Sequence, residues 1–155
     1  DAGADMLTFH VEAVRDPVET AGKLKDLGVG VGIALNPETP LASFGEAISM
    51  VDMALVMSVE AGFGGQAFNP VALEKLRCLR QDHPDLLLEI DGGIDVDTIS
   101  LARAAGCDLF VVGSAIFRRD SYLAAIADLH AEIQAVTCND ADNDLAPGRK
   151  SEDHS

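Results

Sequence analysis

Three glycine-rich stretches carry the residue types that could do chemistry: Gly62-Phe63-Gly64-Gly65, Asp91-Gly92-Gly93 and Gly113-Ser114. Glycines crowded in this way cost backbone entropy, and the cost is offset where the chain must adopt positive φ or bring its backbone close to something. Peptide N–H groups converging from several turns make a concavity for an anion, such as a phosphate group. Asp91 adds a carboxylate, which can take and return a proton at a carbon next to a carbonyl. Each feature also has a plain structural reading. A glycine turn can simply reverse the chain, and Asp91-Gly92 is a hairpin signal. Residues 97–105 nevertheless read as a helix and not a returning strand, which places Asp91 at the end of a strand. His10 also ends an apolar run and could act as a ligand or base. It has no second histidine at metal-binding spacing, and its structural reading is favoured. His83, His130 and His154 fall in a loop, on a helix and in the terminal stretch, with no chemistry implied.

These residues need elements to position them. Five short, nearly continuous apolar runs cover residues 6–10, 29–35, 53–59, 86–90 and 109–112, as expected of parallel strands buried on both faces. Helical patterns separate them. Asp16 is an N-cap with Pro17 at the first helical position, Glu19 three residues after the cap and Gly28 closing the segment. Asn69-Pro70 opens a helix with an apolar stripe of Val71, Leu73, Leu76 and Leu79. Asp95 or Asp97 caps another that ends at Ala105-Gly106. The last runs over about 120–136, with Tyr122, Ile126, Leu129, Ile133 and Val136 on its inner face. Residues 39–50 form a weaker helix interrupted at Gly45. Strand–helix repetition of this kind gives a parallel sheet with right-handed crossovers. Such sheets bind ligands beyond the carboxyl ends of their strands, which is where all three glycine-rich stretches fall.

Composition narrows the field. The chain has 155 residues, 48% hydrophobic and 24% charged, enough for one core. Eleven Lys and Arg against 26 Asp and Glu give a net charge of −15. That balance argues against nucleic-acid partners, and it means a bound phosphate would be held by backbone amides and not by a lysine cluster. No stretch approaches the roughly 18–20 apolar residues of a membrane span. The three cysteines, Cys78, Cys107 and Cys138, are odd in number and widely spaced. They indicate neither a disulfide scaffold nor a zinc ribbon, and fit a reducing cytoplasm. Cys78 and Cys107 read as small buried residues. Beyond Val136 the apolar periodicity stops, so the domain is expected over 1–136 and a disordered acidic tail over 137–155.

The motifs taken together resemble one family. Thr8-Phe9-His10-Val11-Glu12-Ala13, Ala34-Leu35-Asn36-Pro37 with Thr39-Pro40, Val56-Met57, Gly62-Phe63-Gly64-Gly65-Gln66, Glu89-Ile90-Asp91-Gly92-Gly93-Ile94 and Gly113-Ser114-Ala115-Ile116-Phe117 look like ribulose-phosphate 3-epimerase, in order and over roughly residues 1–135. The resemblance implies an α/β fold of the (β/α)8 TIM-barrel type, here a partial barrel of about five β/α units. It implies a sugar-phosphate substrate, interconversion of D-ribulose 5-phosphate and D-xylulose 5-phosphate in the pentose phosphate pathway, and one divalent metal ion: Zn, Fe, Mn or Co. By the same resemblance Asp91 is both a metal ligand and a catalytic acid/base. Gly62, Phe63, Gly64, Gly65, Gly92, Gly93, Gly113 and Ser114 bind substrate, and Met57 flanks the reacting carbons. Ala61 departs from the family's usual proline.

The family's remaining metal ligands, two histidines and an aspartate, lie on its first three strands together with the opposite-face base, and none is found here. The chain therefore reads as a carboxyl-terminal part lacking roughly 70 residues, inactive when isolated. Its open sheet is expected to aggregate or stay molten unless partners cover it. Neither membrane nor nucleic-acid partners are expected, and a homo-oligomer stays open. The alternatives are an epimerase of a six-carbon ketose phosphate and a non-catalytic phosphate-binding remnant.

Overall fold

Each apolar run becomes a strand of one parallel sheet. The computed structural model describes residues 3–62 and 66–144, with side chains followed to Val136. Strands β1 (Met6–His10), β2 (Gly30–Leu35), β3 (Met53–Met57), β4 (Leu87–Asp91) and β5 (Leu109–Val111) lie side by side in chain order. Every neighbouring pair is parallel. This is the partial barrel expected.

The helices follow their local signals. In α1 (Pro17–Lys25) the Asp16 carboxylate accepts the Glu19 N–H at 2.9 Å, and Lys23 and Lys25 sit in the last turn, where the helix dipole favours cations. The weak helix over 39–50 is a 3₁₀ segment, Leu41–Met50, broken at Gly45, whose φ is 53°. Helices α2 (Val71–Asp82), α3 (Ile99–Ala104), α4 (Ser114–Phe117) and α5 (Tyr122–Asp144) complete the chain. Helix α5 continues past Val136 to Asp144, so the boundary expected at Val136 lies inside it; residues 145–155 fall outside the described residues. Cys107 is buried as expected, but Cys78 is exposed. Helical spacing puts Cys78 off the buried stripe of Ala72, Leu73, Leu76 and Leu79.

One face of the sheet forms the core. Val31, Ile33, Leu35, Ala54, Val56, Leu88 and Ile90 are fully buried there, beneath Ala21, Phe44, Ala47, Leu76, Ile99 and Ala102. The other face is only partly covered: Ala34, Met53 and Met57 are buried there, whereas Met6, Leu87, Leu109 and Val111 are 37%, 42%, 42% and 39% exposed, so the expectation of burial on both faces fails at those positions.

A repeated device aligns the strand starts. Asp52, just before β3, accepts the N–H of Val31 in β2 at 2.8 Å. Asp108, just before β5, accepts the N–H of Leu88 in β4 at 3.0 Å.

Candidate active site

The ends of β3, β4 and β5 meet at one cavity, and Ser58 joins the first two. Its N–H donates to the Asp91 carbonyl at 2.8 Å, and its carbonyl accepts the Asn69 N–H at 2.9 Å. Its hydroxyl donates to the Gly92 carbonyl. Ser58 is fully buried, so these bonds are not diluted by solvent.

Gly92 and Gly93 are demanded by this joint. Gly92 has φ 118°, and a Cβ there would stand 2.6 Å from a Val59 methyl and 2.7 Å from the Ser58 hydroxyl. Gly93 has φ 61°, and its Cβ would stand 2.8 Å from the Phe68 backbone N. What these backbones approach so closely is the neighbouring loop. Gly113 differs: a Cβ there meets nothing within 4 Å, so packing does not require a glycine.

The end of β4 places Asp91 at the wall of a cavity of about 470 Å³. Asp91, Gly62, Gly92, Gly93, Gly113 and Ser114 all line it, as does Met57. The geometry thus gathers every described site residue expected from sequence; Phe63, Gly64 and Gly65 lie outside the described residues. Burial raises the Asp91 pKa above the ordinary carboxylate range, opposed by the hydrogen bond from the Gly92 amide. Glu89, two residues earlier on the same strand face, is raised by burial and by repulsion from Asp91.

A second network holds the next loops. Glu12 accepts the Asn36 N–H at 2.7 Å and the Thr39 hydroxyl, and lies 3.2 Å from His10 Nδ1. Burial alone would raise the Glu12 pKa, but the bonds from Asn36 and Thr39 outweigh it and hold the carboxyl below its usual value. Lys75 reaches the same loop from α2, donating to the carbonyls of Asn36 (3.0 Å), Pro37 (2.7 Å) and Thr39 (2.6 Å). Its burial lowers its pKa against the pull of Glu38 and Glu12. Asn36 in turn accepts the Ala61 N–H at 3.2 Å, at the base of the first glycine loop. His10 is thereby a partner of Glu12, in keeping with its structural reading.

The sequence reading missed three contributors: Ser58, Glu60 at the cavity wall, and Arg118, which lines the cavity one helical turn beyond Gly113-Ser114. A basic residue just after the glycine–serine turn was the available signal. Among the described residues no group of three or more His, Cys, Asp or Glu is placed to hold a metal ion. The residues present therefore do not by themselves fit the metal centre that the resemblance implies.

Comparison with known proteins places this architecture. The ribulose-phosphate 3 epimerase family pattern matches residues 1–117. This chain belongs to the ribulose-phosphate 3-epimerase family. It is 45% identical over 141 residues to ribulose-phosphate 3-epimerase of Mycobacterium tuberculosis (strain H37Rv), and 41% identical over 140 residues to that of Escherichia coli (strain K12). Both matches cover 88% of this chain and 62% of the relative, so the chain spans a little under two thirds of the epimerases it matches. Among solved structures, 3-hexulose-6-phosphate synthase from Salmonella typhimurium superposes with TM-score 0.66 at 21% identity, covering 88% of this chain and 64% of that one. The 3-keto-L-gulonate-6-phosphate decarboxylase from Vibrio cholerae superposes with TM-score 0.65 at 21% identity, covering 87% and 63%. At these identities the likeness concerns the fold, which the epimerase family chain shares. No helix among the described residues is long and apolar enough to cross a membrane.

Proposed function

We propose that this chain supplies one wall of a ribulose-phosphate 3-epimerase active site. The observation that supports the reading most is the convergence of Asp91 with the turns of Gly62, Gly92, Gly93, Gly113 and Ser114 on a single cavity. The amides of those turns hold the phosphate of a five-carbon ketose phosphate. Asp91 then stands at the reactive carbon and moves its proton. A carboxyl whose pKa is raised by burial is better matched to taking and returning a proton than an ordinary surface aspartate. Removing a proton beside a carbonyl leaves an anionic oxygen, which requires fixed positive charge nearby. A divalent metal would supply such charge, with Asp91 as one of its ligands. Epimerisation also needs proton transfer on the opposite sugar face, for which the described residues supply no assigned base. The 155-residue chain alone is therefore expected to be inactive. The setting that goes with this activity is pentose phosphate metabolism in the cytoplasm.

The test is Asp91→Asn in a complete, catalytically competent form of the protein. Interconversion of D-ribulose 5-phosphate and D-xylulose 5-phosphate should fall by at least about a hundredfold, the usual scale for losing an acid/base. Binding of inorganic phosphate should persist. Unchanged turnover removes Asp91 from the mechanism.

A further inference from the structure

We propose that Arg118 is a phosphate-binding residue of this cavity, a charged supplement to the peptide amides; the inference rests on the functional reading above. The charge balance of the sequence points to an anion held by backbone alone. The cavity lining differs: it contains two carboxylates, Glu60 and Asp91, and one cation, Arg118, among its described residues. A dianionic ligand approaching a chain of net charge −15 meets repulsion, and a guanidinium at the wall opposes it locally.

Arg118 is tied to the glycine–serine turn. Its N–H donates to the Ser114 carbonyl at 3.2 Å, closing the single turn of α4. It also lines the adjoining hollow, together with Gly93 and Ser114, so it stands on the divide between the two. Several other cations are already engaged. Arg80 and Arg103 pair with Asp108, Arg119 with Asp128 and Lys23 with Glu19. Lys75 is committed to three carbonyls. The Arg118 guanidinium has no ion pair among the described residues, although Asp95 and Asp97 line the same hollow. One Asp95 carboxylate oxygen already accepts the N–H groups of Asp97 and Thr98 and the Thr98 hydroxyl. A guanidinium fork matches two phosphate oxygens at once and keeps its charge at every working pH. Its exposure to solvent sets the expected effect at the low end for a charge-assisted bond, about tenfold in affinity.

The experiment titrates a complete, catalytically competent form of the protein at low ionic strength with inorganic phosphate, D-ribulose 5-phosphate and unphosphorylated ribulose, following the amide NMR signals of Gly92, Gly93, Gly113 and Ser114. Arg118→Gln should keep the wild-type spectrum in the absence of ligand. It should weaken both phosphate-bearing probes about tenfold and flatten their salt dependence, while leaving the response to ribulose itself unchanged. Arg118→Lys should fall between the two. Wild-type affinity in Arg118→Gln overturns this inference and leaves the phosphate site standing. Silence of the glycine amides in the wild type toward both phosphate probes overturns the site and the inference together.

Discussion

Replacing Gly93 by alanine isolates what the Asp91-Gly92-Gly93 turn does for the fold. The native φ of 61° lies in the left-handed region, where an L-residue costs roughly 1–2 kcal/mol. The added methyl would stand 2.8 Å from the Phe68 backbone N and 2.9 Å from its Cα. These are backbone atoms of a segment pinned through the neighbouring Asn69 to Ser58, and overpacking of this kind costs roughly 1–3 kcal/mol. Together the two effects come to about 2–5 kcal/mol, or roughly a 5–15 °C drop in midpoint for a chain of this size. Urea titration of a complete form of the protein, followed by circular dichroism, measures the free-energy change. Gly113→Ala is the control: its methyl meets open space, so its stability should stay within about 0.5 kcal/mol of wild type. Any effect of Gly113→Ala should appear in phosphate binding, where the methyl would stand between the backbone and a ligand. A Gly93→Ala chain as stable as the control would refute the argument that the glycine pair is required by the joint between the two loops.

Two further outcomes follow from the loop network. Lys75→Met keeps the aliphatic stem but strands the carbonyls of Asn36, Pro37 and Thr39. It should destabilise by about 1–3 kcal/mol and speed amide exchange in residues 36–39. Glu12 has a folded pKa below its unfolded one, so its contribution is full above the ordinary glutamate range and is lost as the pH falls through the depressed value. Glu12→Gln should therefore cost about 1 kcal/mol at neutral pH, the difference between charged and neutral acceptors. That difference should shrink toward zero in acid, as read from denaturation midpoints across pH.

The strands were legible because a two-sided or one-sided core both demand apolar runs, and the starts of α1 and α2 because Pro17 and Pro70 mark them. Position 78 was misread because composition says that cysteines are buried, whereas helical phase decides which face they take. The exposed faces of Leu87, Leu109 and Val111 were invisible for a related reason: an apolar side chain records what a strand can pack against, not whether anything is there. In the site, the glycines and Asp91 announced themselves by type. The Ser58 joint and the Lys75 reach into residues 36–39 depend on contacts across 30 or more positions, such as Ser58 with Asp91 and Lys75 with Thr39, and no local pattern encodes these. Arg118 was hidden by the acidic total, since net charge says nothing about where a single cation sits.

The aspartates that precede β3 and β5 each anchor the amide of the second residue of the preceding strand, Val31 in β2 and Leu88 in β4. Asp5 occupies the same position ahead of β1, and its carboxylate has no partner among the described residues. It is a docking peg without its socket: a parallel segment annealing to the margin of β1 would find a carboxylate waiting for the N–H of its second residue, and its alignment would be fixed there before any side chain packed.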